Sequence, residues 1–172
     1  MKKLLLLLLC FALCLSTAAC AAAPEKETNS AMQTNPSVQG TPTFGLNVSA
    51  FFSKLKFTAT ELVQSEGEDF FMPSAGNIFV GIHFTIENIS DEEQTISSLL
   101  LFDSYADDVK AGLSVSASCI FDDGTLDGSI APGKKLIGWY AIEVPANWQT
   151  IELQVQANIW SNSSATFVFQ NN

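Results

Sequence analysis

Between residues 50 and 170, apolar and polar residues alternate in short runs, with the period of two that is typical of half-buried β-strands. In the clearest run, the apolar face is formed by Ile78, Val80, Ile82, Phe84 and Ile86. The same alternation recurs at residues 55–59, 136–144, 151–157 and 167–169. Since no segment shows a comparable apolar stripe with a 3.6-residue period and helix caps, the pattern predicts strands throughout.

Turn-forming residues separate these runs. Clusters of Asn, Asp, Gly, Pro and Ser stand at residues 88–91, 122–124, 127–128, 131–133 and 145–147. Many short strands joined by turns, with no helices between them, indicate an all-β fold. We therefore predict an antiparallel β-sandwich over about 125 residues.

A further alternating run, Leu113 to Phe121, contains the one cysteine of the predicted domain, Cys119. A strand here would place Cys119 on the same apolar face as Ala117 and Phe121, so we expect a buried and unreactive thiol. The alternative, a nucleophile or redox sensor, requires a neighbouring base or cation that lowers the pKa of the thiol.

The N-terminus has the layout of a secretory signal peptide. Met1-Lys2-Lys3 precedes twelve apolar residues, Leu4 to Leu15, which are followed by small residues and then Cys20. This apolar run is shorter than the ~20 residues that a transmembrane helix needs. We therefore predict that residues 1–19 are removed as a signal peptide.

The cysteine after Ala18-Ala19 resembles the lipobox of bacterial lipoproteins, although Thr17 stands where that motif usually has Leu. The resemblance implies that the Cys20 thiol carries diacylglycerol and that Cys20 becomes the new N-terminus. The prediction is therefore a protein that is lipid-anchored on the extracytoplasmic face of the cell membrane. If Cys20 is not lipidated, the same signal predicts a secreted protein.

Residues 20–43 are predicted to form the lipidated, flexible tether, because Ala21 to Thr43 are rich in Ala, Thr, Asn, Ser, Gln and Pro. As a flexible coil, this 23-residue segment would have ends about 25 Å apart on average. Residues 44–172 are then the folded domain.

The charge of the chain restricts its partners. The 172 residues include 8 Lys, no Arg and 18 Asp plus Glu, for a formal charge of −10, and loss of Lys2 and Lys3 with the signal moves it to −12. So acidic a protein is repelled by nucleic acid and by anionic lipid, so we expect no nucleic-acid partner and a membrane contact through the lipid.

The strand Phe79 to Ser90 ends in Thr-Ile-Glu-Asn-Ile-Ser. It is followed by the segments Ile96-Ser97-Ser98 and Leu101-Phe102-Asp103 and by the turn Ile130-Ala131-Pro132-Gly133, with Gly138, Val144 and Pro145 downstream. Together these motifs resemble a domain-of-unknown-function family of bacterial, mainly Gram-positive, surface lipoproteins. The resemblance covers roughly residues 50–170. It implies an immunoglobulin-like sandwich, similar to a small secreted mycobacterial antigen, and it assigns no catalytic, cofactor or metal residues.

Candidate catalytic chemistry is sparse. His83 is the only histidine and lies on the mixed face of its strand, which favours polar surface over a catalytic triad. The remaining economical enzyme would be a glycosidase with two facing carboxylates, but we expect the acidic residues to lie mainly in solvated turns. We therefore predict a protein that is not an enzyme and uses no cofactor.

Two kinds of binding site have candidate residues. Asp122, Asp123 and Asp127, with Asp103, Asp107 and Asp108, could supply oxygens to Ca²⁺, although their spacing is not an EF-hand and Asp commonly initiates turns. Trp139, Tyr140, Trp148 and Trp160 could stack on sugars, although aromatic residues of sandwiches are mostly core. The prediction is a binding or scaffolding module with a protein or cell-envelope glycan partner; the alternative is a carbohydrate-binding module that uses exposed tryptophans.

Overall fold

The computed structural model describes residues 41–121, 124–160 and 162–171. The predicted signal peptide, Cys20, the tether up to residue 40, Asp122 and Asp123 lie outside them. Among the described residues, no helix is long and apolar enough to cross a bilayer.

The described chain consists of strands and two single-turn helices. The strands are β1 (Thr43–Phe44), β2 (Ser49–Phe51), β3 (Leu55–Ser65), β4 (Asn77–Asn88), β5 (Gln94–Ile96), β6 (Phe102–Ala106), β7 (Val109–Lys110), β8 (Gly128–Ile130), β9 (Lys135–Pro145), β10 (Thr150–Gln156) and β11 (Ser164–Gln170). The helices are α1 (Ser98–Leu101) and α2 (Val115–Ser118).

Two sheets form the sandwich, one with the strand order β1-β11-β10-β6-β7 and one with the order β2-β3-β4-β9. A short ribbon pairs β5 with β8. Apart from the parallel pair β1 and β11, the strands pair in antiparallel fashion. The prediction of an all-β, immunoglobulin-like antiparallel sandwich is confirmed.

The core lies between the two sheets and is rich in aromatic rings. β4 places Val80, Ile82, Phe84 and Ile86 in it, as the alternation predicted. The Phe84 ring contacts the Phe102 and Phe167 rings of the opposite sheet edge-on, with centroids 5.6 Å and 5.2 Å away. Edge-to-face contacts of this kind add to the stabilisation that comes from burying the apolar surface of the rings.

The predicted strand at residues 113–121 is wrong. Ser114 caps α2 through its side chain, which accepts a hydrogen bond from the Ala117 amide, and Cys119 is exposed rather than buried. The physical reason lies in the four-stranded sheet, whose outer face is partly apolar and needs a cover. Ala117 and Phe121, one helical turn apart, pack together on that face beside Phe79 and Ala141.

Candidate functional site

His83 lies on the outer face of the four-stranded sheet, where it is half-buried. Its Nδ1 is 2.7 Å from the Thr60 hydroxyl, and its ring lies 4.7 Å from the Trp139 ring. Thr60 reaches it because the pairing of β3 with β4 is irregular between Ala59 and Glu61. Within the part of the chain that the structure describes, no carboxylate hydrogen-bonds to His83, so a threonine and an aromatic ring orient it instead of an acid.

The four aromatic residues considered for sugar stacking do not share a face. Trp148 is fully buried and donates a hydrogen bond to Gln64 Oε1, and Tyr140 is buried against Phe102. Trp139 is half-buried beside His83, and Trp160 is 89% exposed in the turn between β10 and β11. A flat platform of several rings, which sugar stacking favours, is therefore not assembled from these four residues.

Three of the four described aspartates that were candidates for a cation site, Asp103, Asp107 and Asp127, are engaged in local structure. The Asp127 carboxylate accepts hydrogen bonds from the Ser98 amide and hydroxyl and so holds the start of α1. Asp107 accepts from the amides of Gln149 and Thr150, and Asp103 pairs with Lys110 at 2.6 Å. Among described residues there is no group of three or more His, Cys, Asp or Glu residues that could hold a metal ion.

Two carboxylates on the four-stranded sheet are held in the ionised form. Hydrogen bonding to Lys56, with a further contribution from Lys135, lowers the pKa of Glu87. The Asn77 side chain and the Ser74 amide donate to Glu143 and lower its pKa. A glycosidase acid needs the opposite shift, a raised pKa. The expectation that acidic residues lie mainly in turns misses these strand positions.

A small cavity of about 140 Å³ opens at the edge where β6 and β7 approach β9. The residues that line it include Phe102, Tyr140, Asp103 and Lys110. Burial raises the pKa of the Tyr140 hydroxyl. The Tyr140 hydroxyl is 3.2 Å from the Ser104 hydroxyl, which donates to the Ala111 carbonyl. Because these polar groups are already paired, the cavity offers little to orient a ligand.

One end of the sandwich receives the chain from the N-terminal segment, and we call it the anchor end. The Thr166 amide donates to the Pro42 carbonyl, which places the entry beside the start of β11. The Ile89 amide donates to the Lys54 carbonyl and the Asn88 amide to the Lys134 carbonyl, which joins the neighbouring turns. A shared depression lined by residues 52–55, Ala157 and Asn158 brings the turn between β10 and β11 to the same end.

The anchor end is electrically balanced and carries exposed apolar side chains. Of the five lysines among the described residues, four lie there, namely Lys54, Lys56, Lys134 and Lys135, and the nearby acidic residues are Glu87, Asp91, Glu92 and Glu93. The exposed apolar side chains of its turns and strand ends are Phe51, Ile89, Ile159 and Trp160.

The opposite end, which we call the distal end, is acidic. The loop between β3 and β4, the Asp107-Asp108 turn and the turn between β9 and β10 meet there. Hydrogen bonds from Ala146 N to Gly76 O and from Gln149 N to Asp107 link them. Its acidic residues are Glu66, Glu68, Asp69, Asp107, Asp108 and Glu143, and no described lysine lies in these three turns.

The loop between β3 and β4 ends in an ordered apolar tip, Phe70 to Met72. Two backbone hydrogen bonds between Glu68 and Phe71, of 3.0 Å and 2.8 Å, close a two-residue turn in which Asp69 has a φ of 51°. At its apex Phe70 is 97% exposed, and Met72 is 60% exposed. The Phe-Phe-Met triplet among acidic residues was the only sequence signal for this tip, and it has no periodicity that would mark it.

The sequence of the sandwich matches the model of a known protein family. Residues 44–165 match the family described as Domain of unknown function (DUF4352). The chain belongs to this family. The match begins at β1 and ends in β11, so the DUF4352 domain is the sandwich itself. No curated protein matches the chain.

Solved structures of other proteins share the sandwich fold of this chain at low sequence identity. A candidate lipoprotein of Bacillus subtilis (ycdA) aligns with a TM-score of 0.56 and 14% identity, over 71% of this chain and 38% of that one. An uncharacterised β-sandwich protein of Clostridium difficile aligns with a TM-score of 0.51 and 14% identity, over 80% and 100%. The secreted protein MPT63 of Mycobacterium tuberculosis aligns with a TM-score of 0.53 and 12% identity, over 78% and 100%. At these identities the likeness establishes the fold.

Proposed function

We propose that this DUF4352 protein is a lipid-anchored, extracytoplasmic binding module without catalytic activity, which binds a cationic protein partner through the tip Phe70 to Met72. The observation that carries the proposal is the 97% exposure of Phe70 on a hydrogen-bonded turn. A ring held in water by an ordered backbone loses little conformational freedom on binding, which is the property of an interface anchor.

The charge around the tip indicates the kind of partner. Glu66, Glu68 and Asp69 flank Phe70, and the distal end as a whole is acidic. Complementary charge speeds association and excludes like-charged proteins, so the expected partner has an apolar pocket with a basic rim.

The membrane anchor and the localisation rest on the sequence of residues 1–20. The lipobox-like Ala18-Ala19-Cys20 supports lipidation, and the likeness of the domain to a candidate lipoprotein of Bacillus subtilis agrees with it. The tip and Pro42 lie at opposite ends of the sandwich, so the proposed binding surface and the entry of the N-terminal segment do not overlap.

The binding proposal is tested by photo-cross-linking in the native cell. A photoreactive phenylalanine analogue replaces Phe70 in the full chain, and the control places the analogue at Val115, which is 77% exposed on another surface. We expect one discrete protein adduct from position 70 and none from position 115. Reversing the charge at Glu68 and Asp69 to Lys should weaken that adduct by about tenfold.

Two results would contradict this proposal. Equal labelling from positions 70 and 115 would show that the tip makes no specific contact. An adduct that muramidase removes would identify a cell-wall glycan as the partner and revive the carbohydrate-binding alternative.

A further inference from the structure

We propose that the anchor end rests on the membrane, with Trp160 and Ile159 inserted at the boundary between lipid headgroups and acyl chains. This inference rests on the proposed lipid anchor at Cys20 and adds a second, non-covalent contact with the bilayer. It also fixes the orientation of the sandwich.

The first observation is the side chain of Trp160. It is 89% exposed, next to Ile159, and its backbone is tied into the turn by a 2.9 Å hydrogen bond to the Asn158 side chain. An indole combines a large apolar surface with one polar N–H, and this combination places tryptophan preferentially at membrane interfaces. The turn therefore presents a side chain suited to the headgroup boundary.

The second observation is the position of the turn relative to the end of the chain outside the structure. Pro42 and Thr166 are joined by a hydrogen bond, and Trp160 lies in the turn that leads into the same strand, β11. Twenty residues separate Cys20 from Thr41, and the predicted average span of such a segment is about 25 Å. The twelve residues of β4 alone extend about 40 Å from one end of the sandwich to the other. The anchor end is therefore the end that lies within ordinary reach of the bilayer.

The third observation is the distribution of charge. The anchor end has as many lysines as acidic residues, whereas the three turns of the distal end hold five acidic residues and no described lysine. A bilayer that contains anionic lipid repels the acidic distal end, whereas it exerts no net electrostatic repulsion on the balanced anchor end. The charge and the length of the N-terminal segment thus favour the same orientation.

Two apolar side chains alone bind a bilayer weakly, so the contact depends on the lipid anchor. Attachment at Cys20 converts insertion of Trp160 into an intramolecular step, with an effective concentration in the mM range. Under that condition a weak interfacial contact is populated, while the free domain in solution would show none.

The test uses the protein as it is processed and purified from cells that express the full chain, reconstituted into vesicles of equal parts phosphatidylcholine and phosphatidylglycerol, with and without bromine on the acyl chains. Bromine on the acyl chains quenches the fluorescence of only those indoles that insert into the bilayer. We expect quenching of part of the tryptophan emission, complete loss of that quenching in Trp160→Ala, and its retention in the matched control Trp139→Phe. Absence of quenching, or quenching that survives Trp160→Ala, would overturn the proposed contact.

Flotation of the same samples separates the two proposals. Protein that floats with vesicles but shows no Trp160 quenching retains its anchor and refutes the contact. Protein that does not float refutes the natural anchor. In that case a Cys119→Ser chain of residues 20–172, which includes every described residue, is coupled through Cys20 to a maleimide lipid, and the quenching measurement then decides the contact by itself.

Discussion

The ring of Phe121 occupies the place that a side chain at position 81 would need. A Cβ on Gly81 would lie 2.8 Å from the Phe121 Cδ1 and Cε1 atoms, which is well inside van der Waals contact. Because Gly81 has no side chain, the segment after α2 can pack on the outer face of the four-stranded sheet, next to Phe79 and Ala141.

We expect Gly81→Val to destabilise the domain, because the new side chain displaces the Phe121 ring. The apolar groups that this ring covers are then exposed to water. Overpacking of this kind typically costs about 1–3 kcal/mol in the free energy of unfolding. Denaturant melts measure it, with Gly45→Ala as the control because a Cβ at Gly45 meets nothing within 4 Å. Equal stability of the two variants would mean that the Phe121 contact is dispensable.

The contact between Gly81 and Phe121 is also a feature that could not be predicted from the sequence. The alternation of β4, β9 and β10 was predictable because each strand has one face in the core, and burial on one side enforces a period of two. Leu113 to Phe121 has the same period by coincidence. Its position is determined by the apolar outer face around Gly81, and that face is known only once β4 and β9 are paired.

The proposed binding surfaces could not be predicted from the sequence for a similar reason. Trp148 and Trp160 are the same residue type, yet one is buried and bonded to Gln64 while the other is exposed in a turn. The acidic distal end gathers residues from three separate turns, and only the strand order brings those turns together. Phe70 lies in a loop, where no periodicity reports exposure.

Phe84 and His83 are adjacent in β4 but lie on opposite faces, so we expect very different costs for replacing them. Phe84→Ala removes a ring that contacts Phe102 and Phe167 in the core and should cost about 3–5 kcal/mol. His83→Ala loses one partly buried hydrogen bond to Thr60 and should cost about 1 kcal/mol. Urea melts of both variants give the ranking, and a reversed order would show that the faces of β4 are assigned incorrectly.

Cys20→Ala tests the anchor directly. If the thiol carries the diacylglycerol, the variant should leave the membrane fraction and appear in the medium, or accumulate with its signal uncleaved, because two acyl chains are what retain such a protein on a membrane. Fractionation and immunoblotting measure the distribution, and Cys119→Ala is the matched control because Cys119 is an exposed thiol of the domain. Normal processing of Cys20→Ala with full membrane retention would refute lipidation.

Glu87 should give the stability of the domain a dependence on pH in the acid range. Its carboxylate accepts from Lys56 and lies 3.2 Å from Lys135 Nζ, and hydrogen bonding to Lys56 is the main cause that lowers its pKa below the ordinary value of 4.5. Since the pKa is lower in the folded state than in the unfolded chain, the folded state binds fewer protons, and the stabilisation is fully present above pH 4.5. It is lost as the pH falls through the lowered value. We therefore expect Glu87→Gln to be less stable than the wild type at pH 7 and to approach it at acid pH.

Thermal melts across that range measure the difference, and Glu152→Gln serves as the control because Glu152 is exposed on the outer face of the other sheet, opposite Tyr105 and Val168. The control should differ little from the wild type, because no lysine forms an ion pair with Glu152 among the described residues. A difference between Glu87→Gln and the wild type that is constant with pH would mean that packing of the Glu87 side chain, rather than its charge, stabilises the junction of β3, β4 and β9.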